Sequence, residues 1–182
     1  MIRLLLIQEN EPPGSFLRGL LTEITEMPLE VECASSLGAG VVAIADREPD
    51  ICLVDVGLAE ISEWVSVIRG QGRRIPIILW LSLHDLPWTA QLPGVDYLVK
   101  EKSTADVLEL VIRHAIQRHR SEAALEYYAN MQRVVAEVGQ TALADGGLGS
   151  LMDDCLAKVT QALGLEYAKV LELMPCGESL VL

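Results

Sequence analysis

Three ionisable side chains stand at the ends of three short apolar runs that lie far apart in the sequence. Glu9 follows LLLIQ, Asp55 closes ICLVD, and Lys100 follows DYLV. Two carboxylates and a lysine suit phosphoryl transfer. Carboxylate oxygens bind Mg²⁺ and attack phosphorus as nucleophiles, and a lysine or metal ion stabilises the transferring oxygens. The chemistry requires a fold that brings these three side chains together.

The spacing of apolar residues predicts five strands that alternate with helices. Strands are predicted over 2–8, 29–34, 51–56, 77–81 and 95–99, and helices over 15–26, 37–47 and 61–69, with a long helix that begins near Thr104. Such alternation is typical of an α/β fold with a doubly wound, five-stranded parallel sheet. Ligands of these sheets bind at the carboxyl ends of the strands, where the three ionisable side chains are expected.

Composition restricts the class of protein. The chain has 182 residues, of which 51% are hydrophobic, and its net charge is −12. Acidic chains suit neither the phosphate backbone of nucleic acids nor anionic membranes, so we expect neither as a partner. No apolar run reaches the roughly 18–20 residues of a spanning helix, and no signal peptide is evident. A cytoplasmic protein is predicted, with its four cysteines as reduced thiols: Cys33, Cys52, Cys155 and Cys176.

Four segments resemble the receiver domain of two-component response regulators. In chain order they are LLIQEN, DICLVDVGL, IPIILWLS and VDYLVK, and the resemblance covers about residues 1–120. It implies a flavodoxin-like sheet and a function in a phosphorelay. A histidine kinase or a phosphotransfer protein would be the partner that donates the phosphoryl group.

The resemblance also implies roles for individual residues. On this match Asp55 is the phospho-acceptor, and Lys100 pairs with the acceptor or its phosphate. Glu9, Asp55 and the backbone carbonyl of Gly57 would bind Mg²⁺. Tyr97 takes the position of the aromatic switch residue.

The sequence departs from the receiver pattern at two positions. Receivers carry two adjacent acids after the first strand, whereas this chain has Gln8 before Glu9. Leu81 stands where the switch hydroxyl normally follows the fourth strand, and Ser82 lies one residue late. The missing carboxylate should weaken Mg²⁺ binding, and the missing hydroxyl should uncouple the phosphate from Tyr97.

These departures leave two alternatives open. The first is a pseudo-receiver that acts as a protein-interaction or dimerisation module without phosphorylation, for which Gln8 and Leu81 are the arguments. The second is a metal-dependent phosphatase on the same scaffold. That enzyme would need a further acid near Asp55, and Gln8 stands where the acid could have been. We therefore expect a signalling module and no enzyme, since the chain contains no kinase or cyclase core.

The long helix is predicted to continue past the receiver as a linker over 121–145. Residues at alternating three- and four-residue spacing form a heptad seam: Val107, Leu110, His114, Gln117, Ser121, Ala124, Tyr128, Met131, Val135 and Val138. Such a seam favours a parallel dimeric coiled coil, and hence a homodimer. The alternative is that this face packs on the chain's own domains.

The last part of the chain, over 146–182, resembles the start of a GAF domain. A helix is predicted over 148–163 with Gly164 as its cap, followed by a strand over 167–173 and the beginning of another strand in SLVL. The predicted architecture is therefore a receiver, a long helix and a partial α+β segment. The GAF-like segment is too short to complete a ligand pocket, so no ligand residues are assigned to it.

Overall fold

A computed structural model describes residues 1–9, 16–57, 60–72, 74–86, 92, 94–143, 148–173 and 180–181. Within it the chain forms two compact units, Met1–Ser121 and Glu122–Leu182. Cys176, whose thiol is predicted to be reduced, lies outside the described residues.

The first unit alternates strands and helices as the sequence predicts. Its elements are β1 (Ile2–Gln8), α1 (Phe16–Glu23), β2 (Leu29–Ala34), α2 (Leu37–Arg47), β3 (Ile51–Asp55), α3 (Ile61–Gly70), β4 (Ile77–Leu81), β5 (Asp96–Val99) and the long helix α4 (Ala105–Leu143). The strands pair in parallel in the order β2-β1-β3-β4-β5. This order confirms the predicted doubly wound sheet.

Helices cover both faces of the sheet because the strands are apolar on both faces. Successive side chains of a strand point to opposite faces, so each strand contributes to two clusters. The cluster shared with α1 and α4 includes Leu4, Leu6, Leu17, Leu20, Ile51, Leu53, Ile78, Trp80, Leu108 and Ile112. The cluster shared with α2 and α3 includes Leu5, Ile7, Ile44, Cys52, Val54, Trp64, Ile68, Leu79 and Leu81. The two clusters hold the strands in register.

A close approach of α2 to β1 depends on one glycine. Gly40 is buried, and a Cβ at this position would overlap Cδ1 of Ile7. Because Ile7 is itself fully buried, it has little room to move aside. A small residue is therefore required where this helix crosses the strand.

The long helix begins where the sequence predicts. The Thr104 carbonyl accepts from the Leu108 N–H at 2.9 Å, and the Ser103 hydroxyl donates to the Val99 carbonyl at 2.6 Å. Arg118 of α4 donates from both Nη atoms to the Asp96 carboxylate, at 2.8 and 2.5 Å. The Ser103 bond holds the turn between β5 and α4, and the Arg118 bonds fasten α4 to the start of β5.

The second unit contains the later part of α4, the helix α5 (Leu148–Leu163), and an antiparallel pair of short strands, β6 (Glu172–Leu173) and β7 (Leu180–Val181). Gly164 has a φ of 63° directly after α5, which confirms the predicted cap. The strand predicted over 167–173 is wrong in extent, because only Glu172–Leu173 is a strand. Tyr167 and Leu171 are exposed, so the alternation there has no buried face to stabilise.

Among the described residues, no helix combines the length and the apolar character that crossing a membrane requires.

Candidate functional site

The carboxyl edge of the sheet brings Asp55 together with two donors. Asp55 ends β3, and its side chain is 17% exposed. Lys100 Nζ donates to Asp55 Oδ1 at 2.5 Å, and Gln8 Nε2 donates to Asp55 Oδ2 at 2.8 Å. Each carboxylate oxygen therefore has its own hydrogen-bond donor, one charged and one neutral.

The sheet itself positions these side chains. In the register between β1 and β3, Gln8 lies directly beside Asp55. Lys100 follows β5, which β4 separates from β3, so the Lys100 and Asp55 side chains together span two strand spacings, or about 9–10 Å. A long, flexible side chain such as lysine is needed to cover that distance.

The segment that carries Lys100 is fixed by its neighbours. Lys100 opens a short 3-10 helix, Lys100–Lys102, and its carbonyl accepts from the Ser103 N–H at 3.4 Å. The Leu83 N–H, in the turn after β4, donates to Glu101 Oε2 at 3.2 Å. The two loops at this edge are thus tied together, a contact that sequence spacing alone does not indicate.

The predicted magnesium ligands follow β1 and β3 at this edge of the sheet. Glu9 comes directly after β1 and Gly57 lies two residues beyond β3, and both residues are exposed. Within the described residues, no group of three acidic, histidine or cysteine side chains is arranged to hold a metal ion, and the predicted set has only two carboxylates with a backbone carbonyl. The Gln8 amide donates to Asp55 Oδ2, the type of oxygen that Mg²⁺ prefers as a ligand, so the amide would compete with the ion for this oxygen.

The three predicted switch residues, Leu81, Ser82 and Tyr97, lie in different surroundings. Leu81 ends β4 and is only 2% exposed, within the cluster beneath α2 and α3. Ser82 begins a short 3-10 helix, Leu83–Asp85, through a reciprocal capping box: its hydroxyl accepts from the Asp85 N–H, and its own N–H donates to Asp85 Oδ2. Tyr97, on β5, is 51% exposed. The spacing Ser-x-x-Asp is itself a capping-box signal that sequence analysis could have used.

The other possible nucleophile in β3 is inert. Burial raises the pKa of the Cys52 thiol to about 12, so the thiol stays protonated at neutral pH. Cys33, Cys52 and Cys155 are free cysteines, as predicted. The nucleophile that β3 offers at this edge is therefore the Asp55 carboxylate.

Comparison with known proteins gives the fold. No protein-family model matches the sequence, and no curated protein matches it. Solved structures do match. A response regulator receiver domain protein from Clostridium thermocellum has a TM-score of 0.55 at 22% identity, over 66% of this chain and 98% of that chain. The receiver domain of a putative Luxo repressor protein from Vibrio parahaemolyticus has a TM-score of 0.55 at 15% identity, over 69% and 97%.

Full-length FixJ from B. japonicum is similar over a longer range. It has a TM-score of 0.56 at 19% identity, over 91% of each chain. At these identities the similarity lies in the fold. The first unit thus has the fold of a response-regulator receiver domain.

Proposed function

We propose that the first unit is a phosphorelay receiver that accepts a phosphoryl group on Asp55 from a histidine kinase or a phosphotransfer protein. The observation that carries the proposal is the 2.5 Å contact between Lys100 Nζ and Asp55 Oδ1 at the carboxyl edge of a receiver-type sheet. In this proposal Asp55 would supply the acceptor carboxylate and Lys100 the cation for the phosphoryl oxygens.

The transfer is a displacement at phosphorus. An oxygen of Asp55 attacks the phosphorus of a phosphohistidine whose second ring nitrogen carries a proton. The P–O bond forms as the P–N bond breaks, and the imidazole leaves as a neutral ring with the electron pair of that bond. Lys100 neutralises charge on the oxygens of the transferring group and afterwards pairs with the acyl phosphate.

We also propose that the site binds Mg²⁺, at a position where the Gln8 amide competes with the ion. Glu9, Asp55 and the carbonyl of Gly57 would supply the oxygen ligands that this ion prefers. The ion would compete with the Gln8 amide for Asp55 Oδ2. When bound, the ion would add positive charge beside the transferring phosphoryl group.

Intact mass after incubation with acetyl phosphate and Mg²⁺ tests the acceptor. The expected result is one added phosphate on the wild type and none on Asp55→Asn. Asp46→Asn is the matched control, because Asp46 is exposed on α2, away from the site, and should label as the wild type does. Label that persists on Asp55→Asn would contradict the choice of acceptor.

The pseudo-receiver is the second candidate function. It is favoured by the Gln8 hydrogen bond to Asp55 and by the buried Leu81 in place of a switch hydroxyl. In that case the first unit would bind partners without phosphate. A folded wild type that takes no phosphate in excess Mg²⁺ would favour this candidate over the receiver.

The output would pass through α4, which runs without a break from Ala105 to Leu143. In the second unit, its exposed large apolar side chains are Leu125, Tyr127, Tyr128 and Val135, and three of them share one face: Leu125, Tyr128 and Val135, at 69%, 65% and 71% exposure. Their spacing of three and seven residues is that of a coiled-coil seam, and no charge interrupts it. Tyr128 and Val135 belong to the heptad seam predicted from the sequence, whereas Met131, which was also predicted there, is half-buried.

This stripe supports a homodimer formed by two parallel copies of α4. The stripe is neutral in a chain of net charge −12, so two copies would align there without like-charge contacts. Val135→Glu should lower the molar mass in light scattering from dimer to monomer. Val42→Glu, at a 60% exposed valine on α2, should leave it unchanged. A wild-type monomer at high concentration would contradict the dimer.

The segment over 146–182 is proposed to be GAF-like, in a cytoplasmic signalling protein. The helix α5 followed by an antiparallel strand pair supports this proposal, since it is the element order that the resemblance implies.

A further inference from the structure

The Gln8 carboxamide donates a hydrogen bond to one of the two carboxylate oxygens with which Asp55 would attack phosphorus or bind a metal ion. The 2.8 Å bond from Gln8 Nε2 to Asp55 Oδ2 is part-buried. The backbone of Gln8 cannot easily withdraw, because it is paired with Asp55 in the sheet and follows the fully buried Ile7. Rotation of the Gln8 side chain or of the Asp55 carboxylate is therefore needed to free Oδ2.

We infer that Gln8 is a positioning residue that holds Asp55 in a blocked state and so sets its demand for metal and its rate of phosphorylation. The inference rests on the proposed function, in which Asp55 is the acceptor. A hydrogen bond to a carboxylate stabilises the unreacted anion. A cation that binds Oδ2, or an attack that uses it, must compete with this bond for the electron pairs of the oxygen.

Gln8 differs in this respect from the acid that receivers usually have at the position. A carboxylate beside Asp55 would repel it and attract a cation, whereas the Gln8 amide attracts Asp55 and competes with a cation. Lys100 holds the other oxygen, Oδ1, so the two donors together account for both ends of the carboxylate. The sequence shows only that the usual acid is missing. The structure shows in addition that the Gln8 amide donates to Asp55 Oδ2, an oxygen that a metal ion would use.

A substitution that removes the Gln8 amide without adding a charge separates the loss of the hydrogen bond from the gain of a metal ligand. Gln8→Ala frees Oδ2 but supplies no new ligand. Gln8→Asn keeps the amide on a side chain one methylene shorter, so its nitrogen no longer reaches Oδ2 from the same backbone position. It serves as the second variant if Gln8→Ala folds poorly. Gln117→Ala is the matched control, because Gln117 is an exposed glutamine on α4.

Two measurements on the full chain test the inference. The first is the rate of phosphate incorporation from acetyl phosphate at several Mg²⁺ concentrations, by intact mass. The second is Mn²⁺ binding by electron paramagnetic resonance, which needs no phosphorylation. Gln8→Ala and Gln8→Asn should each label, and bind Mn²⁺, about tenfold better than the wild type, the worth of one charge-assisted hydrogen bond. Gln117→Ala should match the wild type in both.

The outcomes distinguish this inference from the proposed function. If the wild type labels on Asp55 but Gln8→Ala and Gln8→Asn label no faster and bind Mn²⁺ no better, the inference is overturned and the receiver stands. If no variant labels, the receiver proposal fails. Mn²⁺ binding then decides the inference alone, and it is overturned if Mn²⁺ binds the wild type and Gln8→Ala equally. Tighter binding to the wild type would show that Gln8 is a metal ligand instead.

Discussion

The carboxyl edge of the sheet has two sides that differ in how far they keep the receiver arrangement. On the acceptor side, β1, β3 and the segment after β5 bring Gln8, Asp55 and Lys100 into direct contact. On the switch side, Leu81 at the end of β4 is buried and Tyr97 on β5 is half exposed. Hydrogen bonds between side chains connect the acceptor side, and one bond from the Leu83 N–H to Glu101 Oε2 links the segment of Lys100 to the loop after β4 on the switch side.

This difference concerns two functions that receivers combine, which are accepting a phosphoryl group and transmitting that event to the rest of the domain. Accepting a phosphoryl group needs a nucleophile and a cation, and both are present as Asp55 and Lys100. Reporting that event needs a hydroxyl that follows the phosphate, and Leu81 has none. Ser82 has a hydroxyl, but it caps its own turn with Asp85. If the proposed function holds, we therefore expect that Asp55 can be modified but that the modification moves β4 and Tyr97 little.

The largest effect is expected from a substitution at Lys100, on the acceptor side. Lys100→Ala removes the cation from Asp55 and should slow labelling by acetyl phosphate about 10²-fold, the typical loss when one stabilising donor is removed. Lys102→Ala is the control, because Lys102 is exposed and lies two residues further along the same 3-10 helix. Equal rates for Lys100→Ala and the wild type would show that the pair is only structural.

Restoring a hydroxyl on the switch side should cost stability. Leu81→Thr replaces a buried apolar side chain and introduces a hydroxyl into the cluster beneath α2 and α3, so urea unfolding should show a loss of roughly 2 kcal/mol. Leu83→Thr, at a 51% exposed leucine, should change the free energy of unfolding by under about 0.5 kcal/mol. Equal losses at the two positions would contradict the burial of Leu81.

Much of the fold was predictable from the sequence, since its signals are local. The strands are apolar runs with abrupt ends, and Pro76 and Thr104 mark the beginning of β4 and α4. The strand expected over 167–173 was wrong in extent, because alternation predicts a strand only if one face is covered. Tyr167 is 75% exposed, so nothing covers it among the described residues.

Which residues lie at the site could be predicted from the sequence, but how they contact one another could not. Apolar runs in a parallel sheet place Asp55 and Lys100 at one edge, and the structure has them in contact. The direction of the Gln8 amide was not predictable, because it depends on the register of β1 against β3 and on a side-chain torsion. The capping box of Ser82 with Asp85 was missed, although its spacing is a local signal.

A smaller effect is expected at Ser82. Ser82→Ala removes the hydroxyl that caps the turn after β4 and should lower the free energy of unfolding by about 1 kcal/mol, with labelling unchanged. Ser82→Thr keeps the hydroxyl and should retain most of this stability. If Ser82→Ala loses labelling but keeps its stability, the hydroxyl serves the phosphoryl group and the two sides are coupled after all.

The smallest effect is expected at Tyr97, and it decides how far the two sides are independent. Its ring is 51% exposed, so Tyr97→Phe should change the free energy of unfolding by under about 0.5 kcal/mol. A fluorotyrosine at position 97 should give the same ¹⁹F signal before and after acetyl phosphate, because the buried Leu81 offers no hydroxyl to be drawn towards a phosphate. In Leu81→Thr the signal should shift on phosphorylation, since the hydroxyl is then present. A shift already in the wild type would mean that phosphate reaches Tyr97 by a route that does not require the hydroxyl after β4.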